Sequence, residues 1–456
     1  MSILIKNGNL VSSAGTMTAD VLIENDRVRT VGGENMHGRA DRVIDAAGMF
    51  LLPGGVDPHV HMHLPSPAGY SSDDFLTGSR AALHGGTTTL MDFVTPERGE
   101  PLPRALEKRM REAECSLTDY AFHVSPVEWR ESIPAEIREC TGMGVTSFKV
   151  YMAYKQTVGL GDEDLLRVMK AVGKAGGMVT VHCEEGDEIE KLRDRFFLDG
   201  HTLPLYHLLS RPSHLESSAV KRALAMAAEA GCPVYIVHVS AAESLDHIRE
   251  ARLRGQTVYA ETCPQCLLFD NSKYTGPFEQ TSPYVISPPL RTEADSDALW
   301  HALADGTINT VGTDHCPFTA EQKRTGLRDF RRIPGGAGGV EHRLALLYTH
   351  GVLTGRLTFN QLVNIFSTEP ARIFGINLRK GDIAAGSDAD IVIWNPEAAG
   401  TVSAESHHMN CDINIYGGMA VRGAPEHVIK GGEVVVARGE MSSLAGRGSY
   451  LHRTIP

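Results

Sequence analysis

Two histidines close a short apolar stretch near the N-terminus and offer a pair of metal ligands. The stretch runs from Leu51 to His61 and ends in His59-Val60-His61. In an extended strand, side chains two residues apart point to the same side, so both imidazoles can face one point in space. Two histidines at this spacing also arise by chance. The pair alone therefore does not distinguish a metal site from a chance occurrence of two histidines.

Further residues that can bind metal or move protons lie in other apolar stretches of the chain. Three of them end their stretches: His182, His238 and Asp314. The fourth, Lys149, stands inside an apolar stretch, where a charged amine is costly to bury and no acidic neighbour in the segment can pair with it. This recurrence of functional groups at strand ends is much more specific than any one of them.

Lys149 has two chemical roles open to it. A Schiff-base lysine would need a carbonyl substrate and would gain nothing from four histidines. A carbamylated lysine would instead supply a carboxylate bridge between two metal ions, and burial favours its formation because it lowers the pKa of the amine. Four histidines, one bridging carboxylate and Asp314 suit two divalent ions, Zn²⁺ most readily.

The elements that must position these groups alternate between apolar strands and helices over residues 53–375. Besides the histidine stretch, strands are predicted at 87–93, 120–124, 145–151, 178–183, 234–239, 257–262 and 309–315, and helices at 74–83, 102–114, 162–175, 217–230 and 242–254. Buried strands with crossover helices are typical of a (β/α)8 barrel or a doubly wound sheet. Eight strands, and no Gly-x-Gly-x-x-Gly after any of them, favour the barrel. In a barrel all these strand ends meet at one mouth.

Both ends of the chain are rich in β-strand patterns. Residues 1–52 and 376–456 show short alternating segments with Asn-Gly and Gly-Gly turns. We predict that they fold together as one small β-sandwich domain, and that residues 53–375 form the barrel domain.

Composition excludes several classes of function. The 456 residues include 44 Lys+Arg and 56 Asp+Glu, a formal net charge of -12, which disfavours a nucleic-acid partner. The sequence predicts no membrane-spanning helix and no signal peptide, hence a cytoplasmic protein whose 8 Cys are reduced thiols. Cys263 and Cys266 form a single C-x-x-C without a second pair, so we do not predict a metal site there.

Motifs in a fixed order along nearly the whole chain carry a family resemblance. They are Pro53-Gly-Gly-Val-Asp-Pro-His-Val-His, Gly85-Gly-Thr-Thr, Phe148-Lys-Val-Tyr, Val237-His-Val-Ser, Ile286-Ser-Pro-Pro and Gly312-Thr-Asp-His. Together they resemble the amidohydrolase superfamily, and within it the dihydropyrimidinase and hydantoinase group of cyclic amidohydrolases. The resemblance implies that a hydroxide bridging two metal ions opens a cyclic amide to an N-carbamoyl amino acid.

The resemblance also implies a role for each site residue. His59 and His61 would hold the more buried metal, and Asp314 would ligate it and carry the proton. His182 and His238 would hold the second metal. A carboxylated Lys149 would bridge the two ions.

Three further residues would hold the substrate by the same resemblance. Tyr154 would face the oxygen of the scissile carbonyl, and backbone groups of Ser287 and Gly335 would hold the ring amide. Gly335 departs from the family pattern, which has Asn there. Glycine can still supply a backbone carbonyl, but the loop should be looser.

The loop after the first strand bears on the choice of ring. His63 stands where dihydroorotases have Arg and allantoinase-like relatives have Asn, so both substrates fit less well. The loop also holds Leu64 and other apolar residues, a wall suited to an uncharged ring substituent. Dihydropyrimidines and 5-substituted hydantoins remain open. A cyclic imide hydrolase and a non-catalytic scaffold are alternatives, although all six ligand positions are filled, which disfavours the scaffold.

Other histidines and acids have plainer predicted roles. We expect His123, His315 and Asp92 to pack or to hydrogen-bond around the site, and the pair His407-His408 to lie at the surface. Relatives in this group form homotetramers, some with a long C-terminal tail that embraces a neighbour. This sequence has almost no such tail, so we expect a homotetramer, or a dimer, without that clasp.

Overall fold

The computed structural model describes residues 2–32, 40–377, 379–443 and 446–455; the other positions of the predicted domains lie outside the described residues. The strands are β1 (Ser2–Val11), β2 (Thr16–Glu24), β3 (Arg27–Gly32), β4 (Arg42–Asp45), β5 (Phe50–Pro53), β6 (Gly55–Val60), β7 (Pro65–Ser66), β8 (Gly69–Tyr70), β9 (Thr87–Val94), β10 (Asp119–Val124), β11 (Ser147–Tyr151), β12 (Met178–His182), β13 (Val234–Ile236), β14 (Val258–Thr262), β15 (Thr310–Val311), β16 (Ile391–Thr401), β17 (Ala420–Lys430), β18 (Glu433–Ala437) and β19 (Glu440–Met441).

The helices alternate with the strands of the central region. They are α1 (Phe75–His84), α2 (Leu102–Glu112), α3 (Ile133–Gly142), α4 (Asp162–Lys174), α5 (Gly186–Leu198), α6 (Leu205–Leu209), α7 (Ser213–Ala230), α8 (Glu243–Leu253), α9 (Pro264–Leu268), α10 (Phe278–Thr281), α11 (Glu293–Ala304), α12 (Ala320–Arg324), α13 (Arg343–Leu347), α14 (Phe359–Val363) and α15 (Glu369–Ile373). Short 3₁₀ turns lie at Ala113–Cys115, Asn271–Tyr274, Ser282–Tyr284 and Phe330–Arg332, and π-helical turns at Tyr348–Val352 and Asn364–Thr368.

Eight parallel strands form the nearly closed barrel, in the order β6, then β9 to β15. All eight residues of β9 are buried, as expected for a strand covered on both faces. The last strand returns to the first through a parallel pairing of Val60 with His315, and the His61 N–H donates to the His315 carbonyl over 2.8 Å. The buried Arg343 guanidinium donates to carbonyls of both terminal strands, Val56 (3.0 Å) and Val311 (2.9 Å).

Both chain ends build the second sheet, which has nine strands of mixed direction. β16 pairs antiparallel with β5, with Ile391 opposite Pro53, so a C-terminal strand lies directly against an N-terminal one. β6 follows β5 with Gly54 between them, and the chain therefore passes straight from this sheet into the barrel. The predicted (β/α)8 barrel and a separate β unit from both chain ends are confirmed; the unit predicted as a small β-sandwich is observed as one mixed sheet, and the domain boundaries remain a prediction.

The last described residues return to the barrel. The Leu451 N–H donates to the Tyr120 carbonyl over 2.8 Å, and the buried Arg453 guanidinium donates to the Ser147 hydroxyl over 2.7 Å. Among the described residues, no helix is long and apolar enough to cross a membrane.

Candidate active site

His59, His61 and Asp314 come together at the mouth of the barrel. The Nε2 atoms of both histidines lie 3.1 Å from one Asp314 carboxylate oxygen, and the ligand atoms of all three residues lie within 4.8 Å of one another. His59 lies near the end of β6, His61 directly follows that strand and Asp314 follows β15, so the closing of the barrel brings them together. Burial lowers the pKa of His59, but Glu261 and Asp314 outweigh it and raise the pKa to about 9. The two carboxylates therefore favour a positive charge at His59, whereas burial lowers the pKa of His61.

His182 and His238 form a second cluster beside the first. His182 Nδ1 lies 3.0 Å from His238 Nε2, and both rings are buried. The centroid of the His238 ring is 5.4 Å from that of His59, so the two clusters are adjacent. The structure thus brings together all four histidines that were predicted as ligands.

Lys149 reaches the same site from β11. Its side chain is 1% exposed, and its Nζ lies 4.9 Å and 5.1 Å from the ring centres of Phe93 and Tyr151. The Phe93 ring in turn stacks on His61, with centroids 4.7 Å apart. Burial lowers the pKa of Lys149 to about 8 although Asp314 and Glu261 act in the opposite direction. A neutral amine is therefore much more accessible here than at a surface lysine.

The donor geometry fits divalent metal ions. A tetrahedral Zn²⁺ with ligands at about 2.0–2.1 Å holds its donor atoms about 3.3 Å apart. The ring nitrogens of His182 and His238 that face each other are 3.0 Å apart. The Nε2 atoms of His59 and His61 each lie 3.1 Å from the Asp314 carboxylate oxygen. His59 Nε2 is buried and, although Asp314 lies 3.1 Å away, makes no well-aligned hydrogen bond within the described chain, whereas its Nδ1 is bonded. The ring nitrogen that faces the cluster is thus the one left for a ligand.

Two carboxylates that sequence reasoning missed orient these rings. Glu261, at the end of β14, lies 2.6 Å from His59 Nδ1, and Glu184 lies 2.8 Å from His182 Nε2. Metal-binding histidines commonly donate their second N–H to such a carboxylate, which fixes the tautomer. Arg211 pairs with Glu184 at 2.5 Å. Their positions in the sequence could have indicated this role, because Glu261 lies near the end of a barrel strand and Glu184 is two residues beyond His182.

Tyr154 lies on the loop after β11, beside the second cluster. Its ring centroid is 5.3 Å from that of His182, and the Arg211 guanidinium lies 5.6 Å from the centre of its ring. Its φ of 60° belongs to the left-handed region, which is uncommon for a residue with a side chain. Burial raises the pKa of Tyr154, although Arg211 opposes this, so the phenol stays protonated and can donate a hydrogen bond.

Ser287 and Gly335 also come together, although they are far apart in the chain. A Cβ placed on Gly335 would lie 3.8 Å from the Ser287 hydroxyl oxygen. His63 is exposed and stacks on Tyr70, with ring centroids 3.9 Å apart, and the Leu64 N–H donates to the Ser71 hydroxyl. The contacts of these four residues with a substrate stay predictions.

The remaining candidates lie around the site or away from it. His123 is bonded to the Ser147 hydroxyl (2.6 Å) and the Pro58 carbonyl (3.0 Å). His315 pairs with Asp73 at 3.0 Å, and Asp92 pairs with Arg109 at 2.8 Å.

His407 is half-buried against the Cys411 carbonyl, while the exposed His408 stacks on His84. All eight cysteines are free thiols, and burial raises the pKa of both Cys263 and Cys266.

Comparisons with known proteins agree on one family. The model of the amidohydrolase family matches residues 50–435. The D-hydantoinase of Geobacillus stearothermophilus is 41% identical over 99% of this chain and 97% of its own length. The dihydropyrimidinase of Arabidopsis thaliana is 40% identical over 98% of this chain and 85% of its own. The crystal structure of a dihydropyrimidinase from Brevibacillus agri NCHU1002 superposes with a TM-score of 0.98 at 41% identity, covering 100% of this chain and 99% of that one.

Proposed function

This chain belongs to the amidohydrolase family, and on that premise we propose that it hydrolyses a cyclic amide, as the names of its D-hydantoinase and dihydropyrimidinase relatives indicate. The substrate is a dihydropyrimidine or a 5-substituted hydantoin ring, and the product is an N-carbamoyl amino acid. The observation that carries this proposal is the meeting of four histidines, Lys149 and Asp314 at one barrel mouth.

Six side chains would hold two divalent ions, most readily Zn²⁺. His59, His61 and Asp314 would hold one ion, and His182 and His238 the other, with a carboxylated Lys149 between them. When bound, the ions would lower the pKa of water to near neutrality and polarise the amide carbonyl. Support comes from the donor spacings and from the burial of Lys149, which favours the neutral amine that reacts with CO2.

The chain's own residues would direct the addition of water across the ring C–N bond. Asp314 would accept a proton from the attacking water and return it to the leaving ring nitrogen. The Tyr154 hydroxyl would donate a hydrogen bond to the oxygen of the carbonyl as negative charge develops there. Backbone groups at Ser287 and Gly335 would hold the ring amide in line. The new C–O bond replaces the broken C–N bond, so the ring opens without any other reactant.

The wall formed by His63, Leu64 and their neighbours would set the ring substituent. A stacked pair of His63 and Tyr70 presents a flat surface that suits an alkyl or aryl group and offers a carboxylate no guanidinium partner. We therefore place dihydroorotate, which carries a carboxylate, and allantoin, whose ureido substituent is polar, behind rings with an uncharged alkyl or aryl substituent.

A hydrolysis panel tests the proposal. Metal-loaded protein is assayed with dihydrouracil, phenylhydantoin, dihydroorotate, allantoin and a plain cyclic imide, and bound metal is counted by elemental analysis. We expect about two ions per chain and turnover of one of the first two rings, abolished in Asp314→Asn. Metal-free protein without turnover would support the non-catalytic scaffold instead. Preference for dihydroorotate, allantoin or the imide would overturn the assignment of the ring.

We also propose that the chain assembles as a homotetramer, or a dimer. Leu198 and Leu253, 82% and 87% accessible at the ends of α5 and α8, are apolar side chains that a contact between subunits would cover. Light scattering coupled to size exclusion gives the mass directly, and a monomer would contradict the proposal.

A further inference from the structure

Lys323 is a buried cation with no part in the chemistry described above. It lies on the short helix α12, is 1% exposed, and donates to three backbone carbonyls. These are Val285 at 3.1 Å, Pro334 at 2.8 Å and Gly336 at 2.8 Å. Burial lowers the pKa of Lys323 to about 7. Burying the charged form of this lysine thus costs free energy, and its three hydrogen bonds call for a structural explanation.

The three carbonyls belong to the two segments that are predicted to hold the ring amide. Val285 is two residues before Ser287, and Pro334 and Gly336 flank Gly335. A direct bond from the Gly336 N–H to the Val285 carbonyl (3.0 Å) also joins the two segments. One ammonium group therefore fixes the distance between the two backbones that must face a single amide group.

The preceding residue of the same helix holds the wall of the site. Gln322 Nε2 donates to the carbonyls of Tyr70 (2.6 Å) and Ala68 (3.3 Å), on the hairpin of β7 and β8. Its Oε1 accepts the Thr319 N–H at 2.9 Å and so caps α12. Neighbouring residues of one helix thus reach three of the segments that are predicted to contact substrate; the fourth is the loop of Tyr154.

We infer that Lys323 and Gln322 are positioning residues for substrate specificity. Lys323 sets the gap between the Ser287 and Gly335 backbones, which governs the fit of every ring. Gln322 sets the hairpin, which governs only the ring substituent. The inference rests on the proposed function, because it concerns how the same site recognises its ring.

The test separates the two residues by substrate. Lys323→Met removes the donors at similar volume, and Lys323→Gln keeps one donor group. Gln322→Glu keeps the capping acceptor and removes the donor to Tyr70. Lys380→Met is the matched control, since Lys380 is a buried lysine bonded to Asp119 and Asp390 instead. Each protein is assayed for kcat and KM with unsubstituted hydantoin, dihydrouracil and phenylhydantoin, and for bound metal.

For Lys323→Met we expect KM to rise about tenfold or more on every ring, since charged hydrogen bonds are lost, with kcat and bound metal little changed. Lys323→Gln should fall between it and the wild type. Gln322→Glu should raise KM for phenylhydantoin alone. Lys380→Met should lower the melting temperature and leave KM unchanged. Equal KM values in all four variants, or a rise in Lys380→Met as large as in Lys323→Met, would overturn the inference.

Amide hydrogen exchange tests, without an activity assay, whether Lys323 and Gln322 brace the segments that they contact. Lys323→Met should exchange faster in residues 282–290 and 333–339, and Gln322→Glu in residues 64–72. Unchanged exchange would overturn the bracing even if KM moved. A wild type that hydrolyses no ring would overturn the proposed function, and with it the assignment to specificity, while the exchange result would still decide the bracing.

Discussion

We predict that replacing Glu261 weakens metal binding, and that this loss of affinity can be distinguished from a loss of folding stability. Its carboxylate, fully buried, lies 2.6 Å from His59 Nδ1 and accepts a bond from the Tyr235 hydroxyl at 2.8 Å. It also accepts the backbone N–H of His238 at 3.3 Å. One carboxylate therefore holds a ligand of each predicted metal ion. Glu261→Gln keeps the size and an acceptor oxygen but removes the negative charge.

The expected loss follows from this geometry. Removing the partner of a metal-bound histidine typically weakens metal binding about 10- to 100-fold, or about 1.4 to 2.7 kcal/mol. Because Glu261 contacts the side chain of His59 but only the backbone of His238, the loss should fall mainly on the ion at His59, His61 and Asp314. Titration of metal-free protein with Zn²⁺ against a fluorescent chelator measures both affinities.

Two further variants control the measurement. Glu136→Gln removes another buried carboxylate, which accepts the Leu102 N–H at 2.9 Å and pairs with Arg130, away from the histidines. It should lower stability without changing metal affinity. Tyr235→Phe should weaken metal binding less than Glu261→Gln, because it removes only a neutral donor. Wild-type Zn²⁺ affinity in Glu261→Gln, or an equal loss in Glu136→Gln, would refute the reasoning.

Three other predictions follow from the same structure. Lys149→Ala should lose most bound metal and activity, and short carboxylic acids should restore part of both; a fully metallated, active variant would exclude the bridge. Tyr154→Phe should lower kcat about 10²- to 10³-fold with unchanged metal content, and a near wild-type kcat would exclude a role at the carbonyl oxygen. Burial raises the pKa of Asp119, but Lys380 and Lys430 outweigh it and lower the pKa from 3.8 to about 2. The stability from ionised Asp119 is therefore present above about pH 4 and lost as pH falls through about 2, so Asp119→Asn should cost about 2 kcal/mol in urea unfolding at pH 7 and little at pH 2.

The barrel was predictable because its strands are continuous apolar runs and its helices are long. The helix predicted at 162–175 is observed at Asp162–Lys174, and the strand predicted at 120–124 at Asp119–Val124. The short elements of the mouth were not predicted. α12 has five residues, and the hairpin of β7 and β8 has strands of two. Elements this short gain little from local propensity, and contacts such as those of Gln322 hold them.

The predicted ligands meet in the structure because parallel strands place their ends at one face. The groups that orient the ligands could not be predicted in this way, because they reach the site from positions that no common pattern of strand ends relates. Glu261 faces His59 across the barrel, 202 residues away in the chain, and Lys323 reaches Val285 and Gly336 from a separate helix. No spacing rule links such positions. Only the folded register shows which acid faces which ring nitrogen.

Backbone strain at the mouth shows how these distant contacts act on Asp314. Its φ of 50° lies in the left-handed region, as does the 38° of His238. Such a conformation costs on the order of 1–3 kcal/mol and persists only where its surroundings enforce it. Both neighbours of Asp314 are fixed by buried carboxylates. The Thr313 hydroxyl donates to Asp57 over 2.7 Å, and the His315 ring pairs with Asp73 over 3.0 Å.

These two anchors hold the chain on either side of the strained residue, so the Asp314 carboxylate is aimed at the histidines by groups that touch neither metal nor substrate. The strain thus belongs to the function proposed for Asp314. The role proposed for Asp314, to ligate an ion and carry a proton, needs a carboxylate at a defined place, and a left-handed backbone pinned on both sides fixes the point from which that side chain extends.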